Sequence, residues 1–364
     1  MKRRVVILYG GRSAEHEISC VSARSVMDAL DPERYEAVPI GITKDGVWQL
    51  ISEPPALPTR GGALPSVRAE RGSEVEFDRS PGASSLVSAD GERREIDVVF
   101  PVLHGPYGED GTIQGMLELA GIPYIGAGVM ASALGLDKGA QKVLFGAAGL
   151  PVVPFETVHE REWEQDRDGV LERARGLGFP LFAKPATLGS SVGISKVHVP
   201  GELPAAMEEA FRYATKAVLE TSIEEAREVE CAVLGNDEPA ASLPGEILPA
   251  GEFYDYRSKY LDDQTRLVIP AELPDEVVAR VQEMAVDAFR AIDCSGMARV
   301  DFFLRPDGEL LVNEINTIPG FTSVSMYPKL WEVSGLPYAD LIDRLVELAL
   351  ERHERDRKKG IGAT

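Results

Sequence analysis

Residues 299–325 constrain the fold most, because they carry charged side chains within what the sequence predicts to be a buried pair of strands. The turn-forming residues 306–308 (Pro-Asp-Gly) separate two apolar runs, which predicts a β-hairpin. Side chains alternate between the two faces of a strand, so Arg299 and Asp301 share one face of the first strand. The sequence therefore predicts a hairpin with one apolar face and one charged face.

The second strand of this hairpin carries Glu314 and Asn316 on one face, and a turn centred on residues 307–308 brings Glu314 opposite Asp301. Facing carboxylates destabilise a strand pair, so a positive charge is expected between them. Asp, Glu and Asn offer hard oxygen donors, which suit Mg²⁺ when phosphate supplies its other ligands. The alternative is a solvated polar face on an edge hairpin. Apolar residues on the opposite face argue for a buried pair instead; they are Val300, Phe302, Leu304 and Ile315.

The composition excludes several classes of partner. The 364 residues suffice for two or three domains, and the formal net charge of −21 argues against nucleic acid and against an anionic membrane. The apolar run after the basic start MKRR is too short for a signal peptide, and no stretch approaches a membrane span. The odd number of widely spaced cysteines predicts buried thiols in a reducing compartment. We therefore expect a cytoplasmic protein. The cysteines are Cys20, Cys231 and Cys294.

The first hundred residues alternate between strands and helices. Residues 5–9 form an apolar, β-branched run that ends at a double glycine, and further strands are predicted at 37–42 and 96–103. An apolar stripe of helical spacing lies between the first two strands and stops at the Asp-Pro pair 31–32. This alternation predicts a small open α/β domain. Residues 52–95 are rich in Pro, Gly, Ser and charge, and are predicted to be a surface excursion.

Two loops lie beyond the carboxyl ends of these strands, where ligands bind in open α/β sheets. The loop 10–19 (GGRSAEHEIS) contains Glu15 and Glu17 at a helix start. For Glu17 we favour the simple explanation that an acidic residue complements the helix dipole, whereas Glu15 is a candidate functional residue. The loop 104–112 (HGPYGEDGT) begins with His104, which is either structural or a ligand contact.

Lysines mark the middle of the chain. Lys138 and Lys142 lie one turn apart on a predicted helix 138–148. This spacing is also that of two ordinary surface residues. Lys184 lies within the apolar strand 180–185, and a buried lysine needs an anionic partner. The Gly/Ser-rich loop that follows, within residues 186–197, is either an ordinary turn or a cover for phosphates.

The later part of the chain supplies a candidate lid and two long helices. Residues 253–263 (FYDYRSKYLDD) are aromatic and charged without a clear period, so they are either a substrate-covering loop or a structured surface loop. Long amphipathic helices are predicted at 274–293, packing against the hairpin, and at 336–357.

Five segments in this order resemble the signatures of the D-alanine–D-alanine ligases of the ATP-grasp superfamily. They are GGRSAEHEIS, HGPYGEDGTIQGMLE, KPATLGSSVGISKV, FYDYRSKY, and the RVDFFL and NEINTIPGFTSVSMYP parts of the C-terminal hairpin region. The resemblance implies an α/β protein with an ATP-grasp fold. An N-terminal open α/β (Rossmann-like) domain would span 1–130, a central small α+β domain 131–223, and a C-terminal α+β domain with the metal-binding hairpin 224–364.

The resemblance also implies roles for individual residues. Asp301, Glu314 and Asn316 are similar to the ligands of two Mg²⁺ ions, which Mn²⁺ can replace, with Glu314 bridging. The implied ATP-binding residues are Lys138, Lys184, Ser190, Ser191, Glu220, Ile223, Glu228, Lys259 and Phe303. The implied catalytic residues are Glu15, Ser190, Tyr260, Arg299 and Gly320. The implied residues for binding D-alanine are Glu15, His104, Tyr260, Arg299, Gly320, Ser325 and Met326.

In this family's reaction, ATP phosphorylates one D-alanine and the acyl phosphate is attacked by the amine of a second, for peptidoglycan synthesis. Such phosphoryl transfer requires positioning, Mg²⁺ and lysines rather than a covalent residue. The resemblance also implies a homodimer. Two alternatives stay open: another ATP-grasp carboxylate–amine or D-alanine–D-lactate ligase, and a non-catalytic nucleotide-binding module. The presence of all three metal-ligand candidates counts against the second alternative.

Overall fold

The computed structural model describes residues 2–52, 55, 64–68, 72–78, 80, 83–189, 192–248 and 266–359. Within these residues the strands form an N-terminal, a central and a C-terminal sheet. The described residues of the predicted ranges 1–130, 131–223 and 224–364 each contain one of these sheets, although the boundaries themselves stay a prediction.

The N-terminal sheet is built on a parallel core. Its strands are β1 (Arg3–Gly10), β2 (Tyr35–Ile42), β3 (Trp48–Ile51), β4 (Gly72–Phe77), β5 (Ser85–Ser88), β6 (Arg93–Glu95) and β7 (Val98–Val102). Strand β1 pairs in parallel with both β2 and β7, and its residues 5–9 are almost fully buried. Helix α1 (His16–Ala29) follows β1 as predicted, and α2 (Thr112–Ala120) follows β7.

The prediction of a surface excursion at residues 52–95 is wrong for the described part of that range. Strands β4 to β6 extend the sheet in antiparallel fashion, and Val75, Phe77 and Leu86 are buried in its core. The Pro, Gly and charged residues dominate the composition of this range and conceal the alternation of apolar and acidic residues along β4, which is typical of a strand with one buried face.

The central sheet is antiparallel and lies among short helices. Its strands are β8 (Phe155–His159), β9 (Leu181–Pro185), β10 (Ser195–Val197) and β11 (Lys216–Thr221). The helices around it are α3 (Val129–Leu136), α4 (Lys138–Ala147), α5 (Glu160–Gln165), α6 (Arg167–Leu177) and α7 (Leu203–Phe211). Strands β9 and β10 pair with each other, so the predicted Gly/Ser loop connects two strands. Asp137 caps α4 by accepting hydrogen bonds from two backbone N–H groups.

The C-terminal sheet carries the predicted hairpin. Its strands are β12 (Arg227–Gly235), β13 (Ala240–Ala241), β14 (Gly245–Leu248), β15 (Arg266–Val268), β16 (Gly296–Leu304) and β17 (Leu310–Asn316). Helix α8 (Asp275–Ala291) buries its apolar face against β16 and β17, as predicted. Helices α9 (Met326–Val333) and α10 (Tyr338–Lys358) close the chain.

The three cysteines are buried in separate places and form no disulfide. Burial raises the pKa of each thiol, that of Cys20, Cys231 and Cys294 alike, to about 12. The predicted role of these residues as buried small side chains is confirmed. Among the helices that the structure describes, we find none with the length and apolar character needed to cross a membrane.

Candidate active site

The charged face of the hairpin is confirmed. Asp301 on β16 pairs directly with Glu314 on β17, and Arg299 pairs with Asn316. The chain reverses around Asp307 rather than at 307–308, since Leu304 pairs with Leu310. The register shifts between Phe302 and Asp301, and this shift restores the predicted pairing of Asp301 with Glu314.

Cationic side chains neutralise these carboxylates. Arg299 donates hydrogen bonds from two nitrogens to the two oxygens of Asp301, both at 2.7 Å, and lies 3.0 Å from Glu230 on β12. Burial alone would lower the pKa of Arg299, but Asp301 and Glu230 raise it well above its usual value. The amide of Asn316 donates to Asp301 at 3.1 Å.

Lys138 supplies the second cation, because its Nζ forms an ion pair with Glu314. Burial lowers the pKa of Lys138, yet the attraction to Glu314 outweighs it and the net shift is upward. The oxygen donors Asp301, Glu314 and Asn316 therefore lie on one face between two positive side chains. This donor set fits a hard divalent cation in company with phosphate oxygens.

A buried trio of charges lies behind Lys138. Glu220 on β11 is 1% exposed and pairs with Lys142 at 2.8 Å and with Lys184 at 2.6 Å. Burial raises the pKa of Glu220, but the two lysines outweigh burial and lower it to about 2. The explanation of Lys142 as a surface residue is wrong, because its side chain is only 1% exposed. Lys184 has the anionic partner that its predicted burial required.

One cavity joins the charged face to the two N-terminal loops. Its lining includes Glu15, His104, Glu109, Gly189, Arg299, Glu314, Asn316, Gly320, Ser325 and Met326. Glycine suits the loop after β7, which approaches Glu15 at Gly105: its φ of +77° favours glycine, and a Cβ there would lie 2.7 Å from Ser13 Oγ and 3.0 Å from Glu15 Oε2. Gly189, at the start of the Gly/Ser loop, also approaches Glu15, since a Cβ there would lie 3.3 Å from Glu15 Oε2.

His104 is buried at the wall of this cavity. Its Nδ1 lies 3.2 Å from the Ile318 carbonyl oxygen, and its Nε2 lies 3.3 Å from Ser22 Oγ. Burial lowers the pKa of His104, although the nearby Glu15 opposes the shift, so the ring is neutral at pH 7. Across the cavity, Ser325 Oγ accepts a hydrogen bond from the Thr322 N–H at 3.1 Å, and lies close to Gly320.

The chain is similar to known proteins over nearly its full length. The family model described as D-ala D-ala ligase N-terminus matches residues 4–127, and that described as D-ala D-ala ligase C-terminus matches residues 144–347. The chain is 52% identical over 351 residues to the D-alanine--D-alanine ligase of Halothermothrix orenii, covering 96% of this chain and 99% of the relative. The chain belongs to the D-alanine–D-alanine ligase family.

Further members of the family are similar to this chain in sequence and in structure. The D-alanine--D-alanine ligase of Pseudarthrobacter chlorophenolicus is 50% identical over 363 residues, 96% of this chain and 95% of that relative. The structure of the D-alanine-D-alanine ligase from Coxiella burnetii superposes with a TM-score of 0.85 at 40% identity, covering 98% of this chain and 97% of the other. The VanG D-Ala:D-Ser ligase from Enterococcus faecalis superposes with a TM-score of 0.84 at 35% identity, covering 96% and 100%. The predicted ATP-grasp architecture is thereby confirmed.

Two further ATP-site candidates, Glu228 and Phe303, lie on the charged face. Glu228 on β12 pairs with Phe303 on β16, next to the pair formed by Glu230 and Asp301. Ile223 lies half-buried in the connection between β11 and β12. Other predicted residues lie outside the described part of the chain; they are Ser190, Ser191, Lys259 and Tyr260, together with the predicted lid 253–263.

Four further residues of the site were not expected from the sequence; they are Glu230, Gln141, Lys142 and Glu109. Glu230 belongs to the alternating face that carries Glu228, and this spacing was a usable signal. Glu109 lies in the candidate ligand loop 104–112, but nothing in the sequence distinguishes its side chain from an ordinary loop carboxylate. It accepts a hydrogen bond from the Gly105 N–H at 2.6 Å.

The protonation state of Glu109 predicts that protons are released when D-alanine binds. Burial, reinforced by the charge of Glu15, raises the pKa of Glu109 to about 8, so this carboxyl is mostly protonated at pH 7. A bound ammonium group beside Glu15 would favour the charged carboxylate and lower that pKa. We expect D-alanine binding at pH 7 to release a fraction of a proton from the wild type and markedly less from Glu109→Gln. Calorimetry in buffers of different ionisation enthalpy measures the difference. Equal proton release from both proteins would mean that Glu109 does not lose a proton when D-alanine binds.

Proposed function

We propose that this protein joins two D-alanines to D-alanyl-D-alanine at the expense of ATP, through a D-alanyl phosphate, for peptidoglycan precursor synthesis. The observation that carries the proposal is the face on which Asp301, Glu314 and Asn316 lie between Lys138 and Arg299. Membership of the ligase family and the adjoining cavity with Glu15 support it.

In the first step, the carboxylate of one D-alanine attacks the γ-phosphorus of ATP, forming the acyl phosphate and releasing ADP. Lys138 and Lys184 would neutralise phosphate charge, and Glu15 would receive the substrate ammonium. Asp301, Glu314 and Asn316 would hold Mg²⁺ or Mn²⁺, which stabilises the charge that develops on the phosphates.

In the second step, the amine of the other D-alanine attacks the acyl carbon and phosphate leaves. Arg299 and the Gly320 N–H would donate hydrogen bonds to the oxyanion of the tetrahedral intermediate. Arg299 suits this role because Asp301 and Glu230 fix its plane, and a positioned donor needs no reorganisation during the reaction. Ser325 and Met326 would contact the second D-alanine. Tyr260, Ser190 and Glu15 would form the hydrogen-bonded group that closes the site.

The remaining ATP contacts are proposed on the same basis. Ile223 and the backbone around Glu220 would bind the adenine, and Phe303 would line its pocket. Glu228 would hold the ribose, while Ser191 and Lys259 would contact the phosphates. His104 would pack beside the first D-alanine.

The test is a coupled assay with purified protein, ATP and Mg²⁺. We expect phosphate release that depends on D-alanine, with one D-alanyl-D-alanine detected by mass spectrometry per phosphate. L-Alanine serves as the matched control and should support neither signal. Absence of D-alanine-dependent phosphate release from protein that binds ATP would overturn the proposal.

The identity of the second substrate is tested in the same assay, because the VanG protein at 35% identity is named as a D-Ala:D-Ser ligase. D-Serine and D-lactate are each supplied in competition with D-alanine across pH 6 to 9. We expect D-alanyl-D-alanine to dominate throughout. A predominant mixed product would assign the chain to one of the alternative ligases.

We also propose a cytoplasmic homodimer and the domain division 1–130, 131–223 and 224–364. The dimer is proposed from the resemblance to the ligase family alone. Sedimentation equilibrium gives the mass directly, and a monomer at micromolar concentration would contradict the dimer.

A further inference from the structure

At one point of the hairpin, β17 contains one residue more than the stretch of β16 that it pairs with. In the fully described hairpin 296–316, Phe302 pairs with Val312 while its neighbour Asp301 pairs with Glu314, so Asn313 has no counterpart on β16. This arrangement is a β-bulge, which interrupts the ladder of backbone hydrogen bonds and redirects the side chains beside it.

The bulge determines which side chains face the site. In a regular strand Val312 and Glu314, two residues apart, would share a face. Here Val312 and Ile315 both lie in the apolar core beneath α8, while Glu314 and Asn316 lie on the charged face. If β17 were regular and kept its pairing near the turn, Asp301 would lie opposite Asn313, and Glu314 would turn towards the other face.

Two neighbouring side chains of α4 bind the backbone on either side of Glu314. Gln141 Oε1 accepts a hydrogen bond from the Ile315 N–H at 2.7 Å, and Lys142 Nζ donates one to the Asn313 carbonyl oxygen at 2.6 Å. Both side chains are about 1% exposed, so water does not compete for these backbone groups.

The same helix connects the bulge to the central sheet. Lys142 Nζ also pairs with Glu220, whose other oxygen holds Lys184. One turn earlier on α4, Lys138 forms its ion pair with the Glu314 side chain. Helix α4 therefore holds Glu314 in two ways. Gln141 and Lys142 bind the backbone on either side of Glu314, and Lys138, the candidate phosphate-binding lysine, pairs with its side chain.

We propose that Gln141 and Lys142 are positioning residues that hold the bulge at Asn313, and thereby aim Glu314 and Asn316 at the divalent cation. The inference rests on the proposed function, because it takes the charged face as the cation site. Neither residue would contact the nucleotide, D-alanine or the cation.

The test measures cation affinity without turnover. Mn²⁺ is titrated into wild type, Gln141→Met and Lys142→Met in saturating ADP, and free Mn²⁺ is followed by electron paramagnetic resonance. Loss of a residue that orients a metal ligand typically weakens binding ten- to a hundredfold. We expect each variant to bind Mn²⁺ about tenfold more weakly or worse.

The matched control is Gln282→Met on α8. Gln282 is a partly buried glutamine that donates to the Ser242 carbonyl oxygen at 3.0 Å, so its loss removes a similar side chain–backbone hydrogen bond away from the bulge. We expect its Mn²⁺ affinity to stay within twofold of wild type. Circular dichroism establishes that each variant is folded, and the neutral, similarly sized Gln141→Met decides the matter if Lys142→Met does not fold.

The outcomes separate the two proposals. Wild-type Mn²⁺ affinity in folded Gln141→Met overturns the positioning role, whatever the activity of the enzyme. A loss of affinity as large in Gln282→Met as in Gln141→Met also overturns it. Failure of the wild type itself to bind Mn²⁺ in the presence of ADP would contradict the cation site and hence the proposed function.

Discussion

Glu314→Gln is expected to lower ligase turnover at saturating Mg²⁺ by about 10³-fold, which corresponds to ~4 kcal/mol in the activation free energy. The substitution keeps the shape of the side chain but removes the charge that faces Asp301 and pairs with Lys138. A neutral amide is a poor bridge between two divalent cations. The measurement is the rate of phosphate release with ATP and D-alanine, in protein whose circular dichroism spectrum matches wild type.

The control for this prediction lies in the same hairpin. Glu309 is exposed and pairs with Arg305 at 2.7 Å, so Glu309→Gln alters the charge by the same amount outside the site. Its turnover should stay within about twofold of wild type, as is usual for surface positions. Turnover of Glu314→Gln within tenfold of wild type would refute the metal assignment.

Glu220→Ala is expected to lower the free energy of unfolding by roughly 3–5 kcal/mol, because it leaves Lys142 and Lys184 buried without their shared carboxylate. Adding Lys142→Met to Glu220→Ala should recover part of this loss, since one unpaired charge is removed. Urea unfolding at pH 7, followed by circular dichroism, measures the free energy of unfolding of the wild type, Glu220→Ala and the double variant. Glu172→Ala, which removes an exposed partner of Arg175, is the control and should change stability by less than ~0.5 kcal/mol.

The difference in stability between the wild type and Glu220→Ala should depend on pH. Two lysines hold the pKa of Glu220 at about 2, below its ordinary value near 4.5. The stabilisation from this carboxylate is therefore complete above pH 4.5 and is lost as the pH falls through 2. The difference between wild type and Glu220→Ala should shrink over that window. A difference that stays constant down to pH 2 would mean that the charge of Glu220 is not what stabilises the sheet.

The sequence revealed the hairpin because its charged and apolar residues alternate, and alternation depends only on local geometry. It correctly paired Asp301 with Glu314, but for an incomplete reason, since the turn lies half a residue earlier and the bulge at Asn313 compensates. A bulge depends on contacts from another element, here Gln141 and Lys142 of α4, which are distant in sequence. Periodicity within one strand cannot reveal such a partner.

Lys142 and Glu230 illustrate the second limit. A lysine one helical turn from another has the spacing of a solvent-exposed face, and only the packing of α4 between two sheets buries it. Glu230 likewise became interpretable once β12 was known to pair with β16, because register decides that it lies opposite Asp301. The strands at residues 72–95 were missed since their short apolar alternation is outweighed by turn-forming and charged neighbours.

The burial of Cys20, Cys231 and Cys294 has a practical consequence for measuring this enzyme. A thiol with a pKa of about 12 holds almost no thiolate at neutral pH and reacts slowly with maleimides. Fluorophores can therefore be attached at a single introduced cysteine without first deleting the native ones. Val324, 71% exposed at the edge of the cavity, is a suitable position, and a dye at Val324→Cys would report ligand binding through its emission.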